Sequence, residues 1–429
     1  MPISSRNHSP APLDPEVSEL NDLNEPARKR ILFVDDEPRV LEGLGRMLHT
    51  MRKEWDMVFS PGAEEALAAM ANGPFDVIVT DMRMPGMDGA DLLNEVVKRY
   101  PSTVRLVLSG QWDQQMVIRT ARTAHQYLVK PCSAQDLKST LGRIFALRGI
   151  LAGKTLKRLI AGLTSLPSVS DAHRRLVESA QSRQFSADMA ASVAVQDVAM
   201  TAKFLQLANS SFFGAARHVS NTTEAALHLG SDTIKALTEA PGVFSEFQGA
   251  PGTEAALCQL QRHSASAARI AQGIATMEQA GKTVIDDAFL AGFLHDIGKL
   301  VLMTMDPEIY GLIPSIVESG AATAGSVERE AFGATHAQAG AYLLWLWGLP
   351  PQVAEAVAFH HSPRRSSSAG LSAVAVVHVA DALADELEGD SEQMSHLDEE
   401  YLEQMGLASR IPAWRQLAAK AAAQSGVVA

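Results

Sequence analysis

From Arg30 to about Lys130, short β-branched or apolar runs alternate with amphipathic helical patterns, which predicts a parallel sheet covered by helices on both faces. The runs Ile31–Val34, Met57–Phe59, Phe75–Thr80, Arg105–Leu108 and Tyr127–Val129 predict strands, and the stretches Pro38–Thr50, Ala63–Ala71, Gly89–Arg99 and Asp113–Thr123 predict helices. After Pro131 the period changes. Gln135 to about Thr164 contains no proline and repeats apolar residues, among them Leu137, Leu141, Ile144, Leu156 and Ile160, so one long amphipathic helix is expected. Gly142, Gly149 and Gly153 weaken it and Arg158 interrupts one seam; a coiled-coil homodimer and a plain last helix followed by a linker stand as equal alternatives. Beyond Leu166 helix follows helix with no alternating strand, with N-caps at Ser186, Asp197, Asp286 and Thr335.

The first region, five strands with intervening helices in about 115 residues, predicts an α/β flavodoxin-like, doubly wound domain whose sites lie at the carboxyl ends of its strands. The second predicts an all-α domain. The expected boundaries are a disordered tail over 1–28, the α/β domain over 29–133, a linker helix over 134–164, the helical domain over 165–387 and a helical extension over 388–429.

Composition narrows the function. The 429 residues exceed one ordinary core. A net charge of −12 and the lack of a helix-turn-helix pattern argue against nucleic acid as a partner. Cys132 and Cys258 are the two cysteines, which suits a reducing compartment. No uninterrupted apolar run approaches the ~20 residues that cross a bilayer, and the first residues lack the apolar core of a signal peptide. A cytoplasmic protein without membrane insertion is expected.

Chemistry enters at the strand ends. Asp35 and Asp36 close the first strand (FVDDE) and Asp81 the third (VIVTDMRMPGMDG). In a parallel sheet these ends converge, and three crowded carboxylates repel one another unless a cation joins them; hard oxygen donors favour Mg²⁺. Asp81 is then placed to act as a nucleophile that forms an acyl phosphate. Ser109 ends the fourth strand (LVLSG), where its hydroxyl can bind a phosphoryl oxygen, and Lys130 ends the fifth (YLVKP), where its ammonium can neutralise added charge. Tyr127 on the fifth strand can report the state of the site by changing rotamer. Singly, such Asp and Lys residues are ordinary solvated or capping groups; the ordered set, with Pro131 after the lysine, points to phosphoryl transfer.

These residues resemble the receiver domain of bacterial response regulators over roughly residues 29–147. The resemblance implies Mg²⁺ held by Asp35, Asp36, Asp81 and the backbone carbonyl of Arg83, phosphorylation of Asp81 by a histidine kinase, a cis Lys130–Pro131 bond and a Ser109/Tyr127 switch pair.

In the helical part, His263, His295, Asp296, His336, His360, His361 and Asp381 are set in apolar helices. Burying His and Asp there is costly unless both are satisfied, and a transition metal such as Fe, Mn, Zn or Ni would satisfy them; an inherited hydrogen-bonded polar core is the plainer alternative. The order H…HD…H…HH…D resembles the HD phosphohydrolase superfamily. With LTSLPSV, FLQLANSSFFG, AALHLGSDTIKAL, LHDIGKLVL and WLWGLPPQVAEAVAFHHSP it resembles the HD-related output domain, HDOD, over about residues 155–385. The sequence departs from HHExxDGxGYP, reading SPRRSSSAG after His361. Lys299 is a candidate anion contact, with a solvated or ion-paired role preferred; Arg364, Arg365, His218, His228, His378 and the cluster Trp345, Trp347 and Phe359 read as structural.

Two functions follow from the resemblance. The first is a two-component response regulator phosphorylated on Asp81, whose HDOD domain acts on an unidentified downstream signalling protein by interaction. The alternative is a receiver-gated, metal-dependent phosphodiesterase or phosphohydrolase acting on a nucleotide or cyclic dinucleotide. Regulation is placed ahead of catalysis.

Overall fold

Strands β1 (Lys29–Val34), β2 (Trp55–Ser60), β3 (Val77–Thr80), β4 (Val104–Ser109) and β5 (Gln126–Val129) pair in parallel in the order β2-β1-β3-β4-β5, the flavodoxin order expected for this pattern. The computed structural model describes residues 28–110, 114–147, 154–210, 213, 218–246, 253–320, 322–368, 370–389 and 396–424. The expected disordered tail lies outside the described residues apart from Arg28. Helices α1 (Pro38–Met47), α2 (Ala63–Ala71), α3 (Gly89–Arg99), α4 (Gln114–Thr120) and α5 (Ala134–Leu147) flank the sheet. β1, β3 and β4 are buried along their apolar runs because helices cover both faces.

Of the expected long helix, the described parts are α5 and α6 (Lys154–Gly162), and residues 148–153 lie outside the description. Leu137, Leu141, Ile144, Leu156 and Ile160 are all buried within the chain. These five residues therefore pack against the protein's own domains and are not free to form a seam with a second copy, whereas Leu159 on α6 is exposed.

The remainder is helical, as expected. α7 (Ser170–Ala180), α8 (Ala187–Ala194), α9 (Val198–Ala208), α10 (Thr222–Leu229) and α11 (Ser231–Glu239) form its first layer. α12 (Thr253–Met277), α13 (Lys282–Leu294), α14 (Ile297–Met305), α15 (Pro307–Glu318), α16 (Ala324–Phe332), α17 (His336–Leu346), α18 (Pro351–Phe359) and α19 (Ala373–Glu388) carry the His and Asp residues or wall their site. α20 (Glu399–Gln404) and α21 (Ile411–Gln424) close the chain, burying Tyr401, Leu402 and Trp414 against α12 and α19 in a second apolar core. One short exception to the helical expectation is a parallel pair, β6 (Pro167–Ser168) with β7 (Ser245–Glu246). Ser186, Asp197 and Thr335 cap their helices through side-chain oxygens. Asp286 does not, because α13 starts a turn earlier behind Gly281 and Asp286 pairs with Lys282 inside it. The stretch Lys282–Met305 is long and apolar enough by length and composition to cross a membrane, but most of it is buried as core.

The α/β domain docks on the helical one through polar contacts at the β4–β5 edge. Gln126 Nε2 donates to the carbonyls of Trp345 and Leu346 at 3.1 and 3.0 Å, at the end of α17. Lys203 on α9 is buried; its Nζ donates to Ala121 O at 3.0 Å and Gln206 Oε1 at 2.7 Å and lies 4.6 Å from the Trp347 ring centre. Burial pushes this ammonium down to about 7. Arg105 on β4 is fully buried with no carboxylate partner among the described residues; it donates to the carbonyls of Thr103, Thr123 and, on α6, Ala161, and burial lowers it to about 9. Arg105→Ala would leave those carbonyls without a donor, so we expect a loss of about 3 kcal/mol, read as a fall in the urea midpoint of the full chain; an unchanged midpoint would mean that water replaces the guanidinium.

Candidate functional site

Strand register builds the first site. Val34 faces Thr80 and Ser109 faces Val129 across the sheet, so the residues that follow, Asp35, Asp36, Asp81 and Lys130, gather with Ser109 at one edge. Lys130 Nζ donates to Asp35 Oδ2 at 2.5 Å and to Asp81 Oδ1 at 2.6 Å. Burial opposes charge on this ammonium, but the two carboxylates outweigh it and hold its pKa above the ordinary value. The backbone N–H of Arg83 donates to Asp81 Oδ2 at 2.7 Å, which brings the Arg83 backbone alongside the carboxylate. A Cβ on Gly89 would sit 2.2 Å from the Asp81 carbonyl oxygen, so a glycine is required for α3 to start this close to Asp81. Tyr127 is buried with its hydroxyl 3.1 Å from Thr120 Oγ1, and the Lys130–Pro131 bond is cis. The donor set, carboxylates plus backbone oxygen, fits Mg²⁺.

The second site forms where the apolar stretch between Lys282 and Met305 breaks. α13 ends at Leu294, α14 starts at Ile297, and His295 and Asp296 turn between them. A Cβ on Gly298 would lie 1.8 Å from the carbonyl oxygen of His336, so α14 and α17 cross in backbone contact and His295–Asp296 meets the first residue of α17. His263 comes from α12, His360 and His361 follow α18, and Asp381 lies on α19; all seven residues meet in one place.

Their hydrogen bonds aim nitrogen lone pairs inward. His295 and His360 each follow the last residue of a helix and donate Nδ1–H to the carbonyl three residues back, Gly292 O and Val357 O, both at 2.8 Å. A carbonyl can only accept, so the neutral form of each ring carries its lone pair on Nε2. Both Nε2 atoms and Asp296 Oδ1 are buried without a hydrogen-bond partner among the described residues. His295 Nε2 lies 3.4 Å from Asp296 Oδ2 and 3.3 Å from Asp381 Oδ1, near enough for charge attraction but not aligned for a hydrogen bond. His336 Nε2 is 3.1 Å from His361 Nε2 and 3.3 Å from Asp296 Oδ1. His263 Nε2 is 3.1 Å from Asp381 Oδ1. Ligand atoms of His336, His360 and His361, of His263, His295 and Asp296, and of His295, His360 and Asp381 fall within 4.8 Å of one another in each trio. Seven donors exceed the four of a tetrahedral ion, so the cluster has room for more than one cation.

Electrostatics match a cation site. Burial opposes charge on His295, yet Asp296 and Asp381 raise it to about 9. Burial likewise opposes ionisation of Asp296 and Asp381, but Lys299 and His295 for the former, and first His295 for the latter, hold both carboxyls well below the usual range. His360, fully buried and next to His361, is pushed well below the ordinary histidine value. Lys299 Nζ donates to Asp296 Oδ2 at 2.7 Å and is therefore ion-paired. The cluster opens on a cavity of about 530 Å³ whose walls include Met303, Ile313, Val317, Arg329 and Arg365, and His361, with 40 % of its side chain exposed, faces outward. Arg364 is held by Asp398 and Glu400. His378 donates to His360 O at 2.7 Å and accepts from the Asp398 backbone N–H at 2.9 Å, which ties the His360 turn to the C-terminal helices.

Three acids near the cluster escaped the sequence reading. Asp385 and Glu388 approach His263 Nδ1 at 3.6 and 3.3 Å; they fall one and two turns after Asp381, a spacing that could have revealed them. Glu328 contacts His336 from α16, and no sequence signal marks it.

The family described as the response regulator receiver domain matches residues 31–142, and the HDOD domain family matches residues 166–363. The hydrogenase transcriptional regulatory protein HoxA of Cupriavidus necator is 34% identical over 35% of this chain, which spans only 31% of HoxA. Chemotaxis protein CheY-3 of Vibrio cholerae is 31% identical over 27% of the chain and is 91% covered. The solved MmoQ response regulator of Methylococcus capsulatus is 23% identical, with a TM-score of 0.43, over 59% of this chain and 98% of that one. With the sheet order and the Asp35–Asp81–Lys130 pocket already in place, the two family matches and the likeness to CheY-3 make the chain a response regulator, with an N-terminal receiver domain joined to a C-terminal HDOD domain.

Proposed function

We propose that this chain is a cytoplasmic response regulator phosphorylated on Asp81 by a histidine kinase, and that its HDOD domain carries a transition-metal centre whose state is passed to a downstream protein. The observation that carries the receiver half is the Lys130 bridge between Asp35 and Asp81. Asp81 attacks phosphorus, the bond to the donor breaks with its electron pair leaving on the donor, and Lys130 turns its ammonium to the new phosphoryl oxygens. Ser109, at the neighbouring strand end, donates to the same group. Asp35, Asp36, Asp81 and the Arg83 carbonyl would hold Mg²⁺, which when bound offsets the charge of the transferred group.

The metal half rests on the three buried, unpartnered atoms His295 Nε2, His360 Nε2 and Asp296 Oδ1, a costly arrangement without a ligand. His295, held near 9, is protonated at pH 7, so a metal that takes its Nε2 must displace a proton. Apparent affinity should rise roughly tenfold per pH unit from 7 towards 9 for that one proton. Calorimetric titration with Zn²⁺ in two buffers of different ionisation enthalpy counts the protons released; a buffer-independent heat would contradict the assignment.

The receiver reaches this centre through the docked edge. Tyr127 neighbours Gln126, and Gln126 holds the carboxyl end of α17, whose first residue is His336. One observation favours a second reading, phosphoester hydrolysis: the cluster opens on a cavity able to admit a small ligand. A metal there when bound activates water. Turnover of nucleotides or cyclic dinucleotides lost in His360→Ala would support that reading over interaction alone.

A further inference from the structure

His295 and His360 orient themselves through carbonyls of their own helices. His336 has no such option. It is the first residue of α17, one of the positions whose backbone N–H has no partner within the helix. Glu328, 1% exposed and eight residues earlier on α16, meets both needs: its Oε2 accepts the His336 backbone N–H at 2.8 Å, and its two oxygens lie 2.8 Å from His336 Nδ1. An ionised carboxylate only accepts, so Nδ1 must donate and, in the neutral ring, the Nε2 lone pair faces Asp296 and His361.

We propose that Glu328 is the positioning residue of the metal centre, fixing His336 in the Nδ1-protonated tautomer that leaves Nε2 unprotonated and able to ligate; the proposal rests on the metal-binding reading. His295, His360 and His336 thereby present the same nitrogen by two devices, helix carbonyls for the first pair and a carboxylate from a neighbouring helix for the third. Glutamine is the informative replacement. Its single acceptor oxygen cannot serve both His336 N–H groups at full strength, and its amide can donate to Nδ1, which moves the ring proton to Nε2 and blocks ligation.

The test uses the full chain labelled with ¹⁵N-histidine, stripped of metal and studied above pH 8, with His336 identified by its absence in His336→Ala. Wild type should show His336 protonated on Nδ1, and Glu328→Gln should show it on Nε2 while His360, neutral in this range, keeps its tautomer. Co²⁺ titration should then be weaker in Glu328→Gln by ~10–100-fold at the position served by His336, His360 and His361, with partial recovery in Glu328→Asp. A simple structural tie between α16 and α17 would lower the melting temperature yet leave tautomer and affinity unchanged. Nε2 protonation of His336 in wild type, or wild-type tautomer and affinity in Glu328→Gln, overturns the proposal. A wild type that binds no Co²⁺ overturns the metal reading beneath it, while the tautomer spectrum still decides whether Glu328 sets His336.

Discussion

Asp81→Asn is expected to abolish phosphorylation by acetyl phosphate, with no modified species in an intact-mass spectrum under conditions that modify wild type. The effect should be total because an amide cannot form the acyl phosphate. The fold should survive. Asparagine keeps the volume of aspartate and an oxygen for the Arg83 N–H, and Lys130 still has Asp35 as a partner. Lys130→Ala separates the roles further. It leaves the nucleophile intact but leaves Asp35 and Asp81 to repel each other in a buried pocket, so Mg²⁺ should bind at least as well while the phosphorylated state loses the ammonium that reads it. Equal modification of Asp81→Asn and wild type would place the acceptor elsewhere.

The second large effect concerns the HDOD cluster. If the HDOD cluster holds a transition metal as proposed, purified Asp296→Asn is expected to carry much less of it than wild type, measured as metal per chain by mass spectrometry. Asp296 is the carboxylate that His295, His336 and Lys299 all approach. Removing its charge leaves a buried imidazolium and ammonium facing each other, a change worth ~3–5 kcal/mol when one partner of a buried pair is lost. The variant should therefore melt earlier than wild type. His360→Ala separates ligation from charge balance, because His360 is held neutral by burial and its loss should lower metal content with a smaller effect on the metal-free melt. Metal content unchanged in both variants would leave the cluster as a polar core without a cation.

Much of this was legible in the chain itself. α2 and α3 fall where their apolar period and flanking residues place them, and β1 to β5 differ from expectation only at their ends. Strand-end chemistry is legible because sheet order and register follow from short, apolar, parallel strands. The seven His and Asp residues were recognisable from their order along the chain. The break at His295–Asp296 was not, since the stretch is apolar on both sides and only the crossing of Gly298 over His336 explains it. The contacts of Gln126, Lys203 and Arg105 with distant carbonyls were not either. Each is a polar residue whose partner is a backbone atom from another part of the chain, and a backbone carbonyl leaves no mark in a sequence. An apolar stripe does not say what covers it, so Leu137, Leu141, Ile144, Leu156 and Ile160 suggested a dimer as readily as the intramolecular packing these five residues make.

In the proposed function the receiver and the HDOD centre form one switch, joined where Gln126 holds the end of α17. Amide hydrogen exchange of the full chain, with and without Mg²⁺ and beryllofluoride as a phosphoryl mimic, tests it most directly. Protection should change in β5 and in α17 on addition of the mimic, and should not change in Asp81→Asn. A response confined to the strand ends around Asp81, with α17 unaltered, would contradict it.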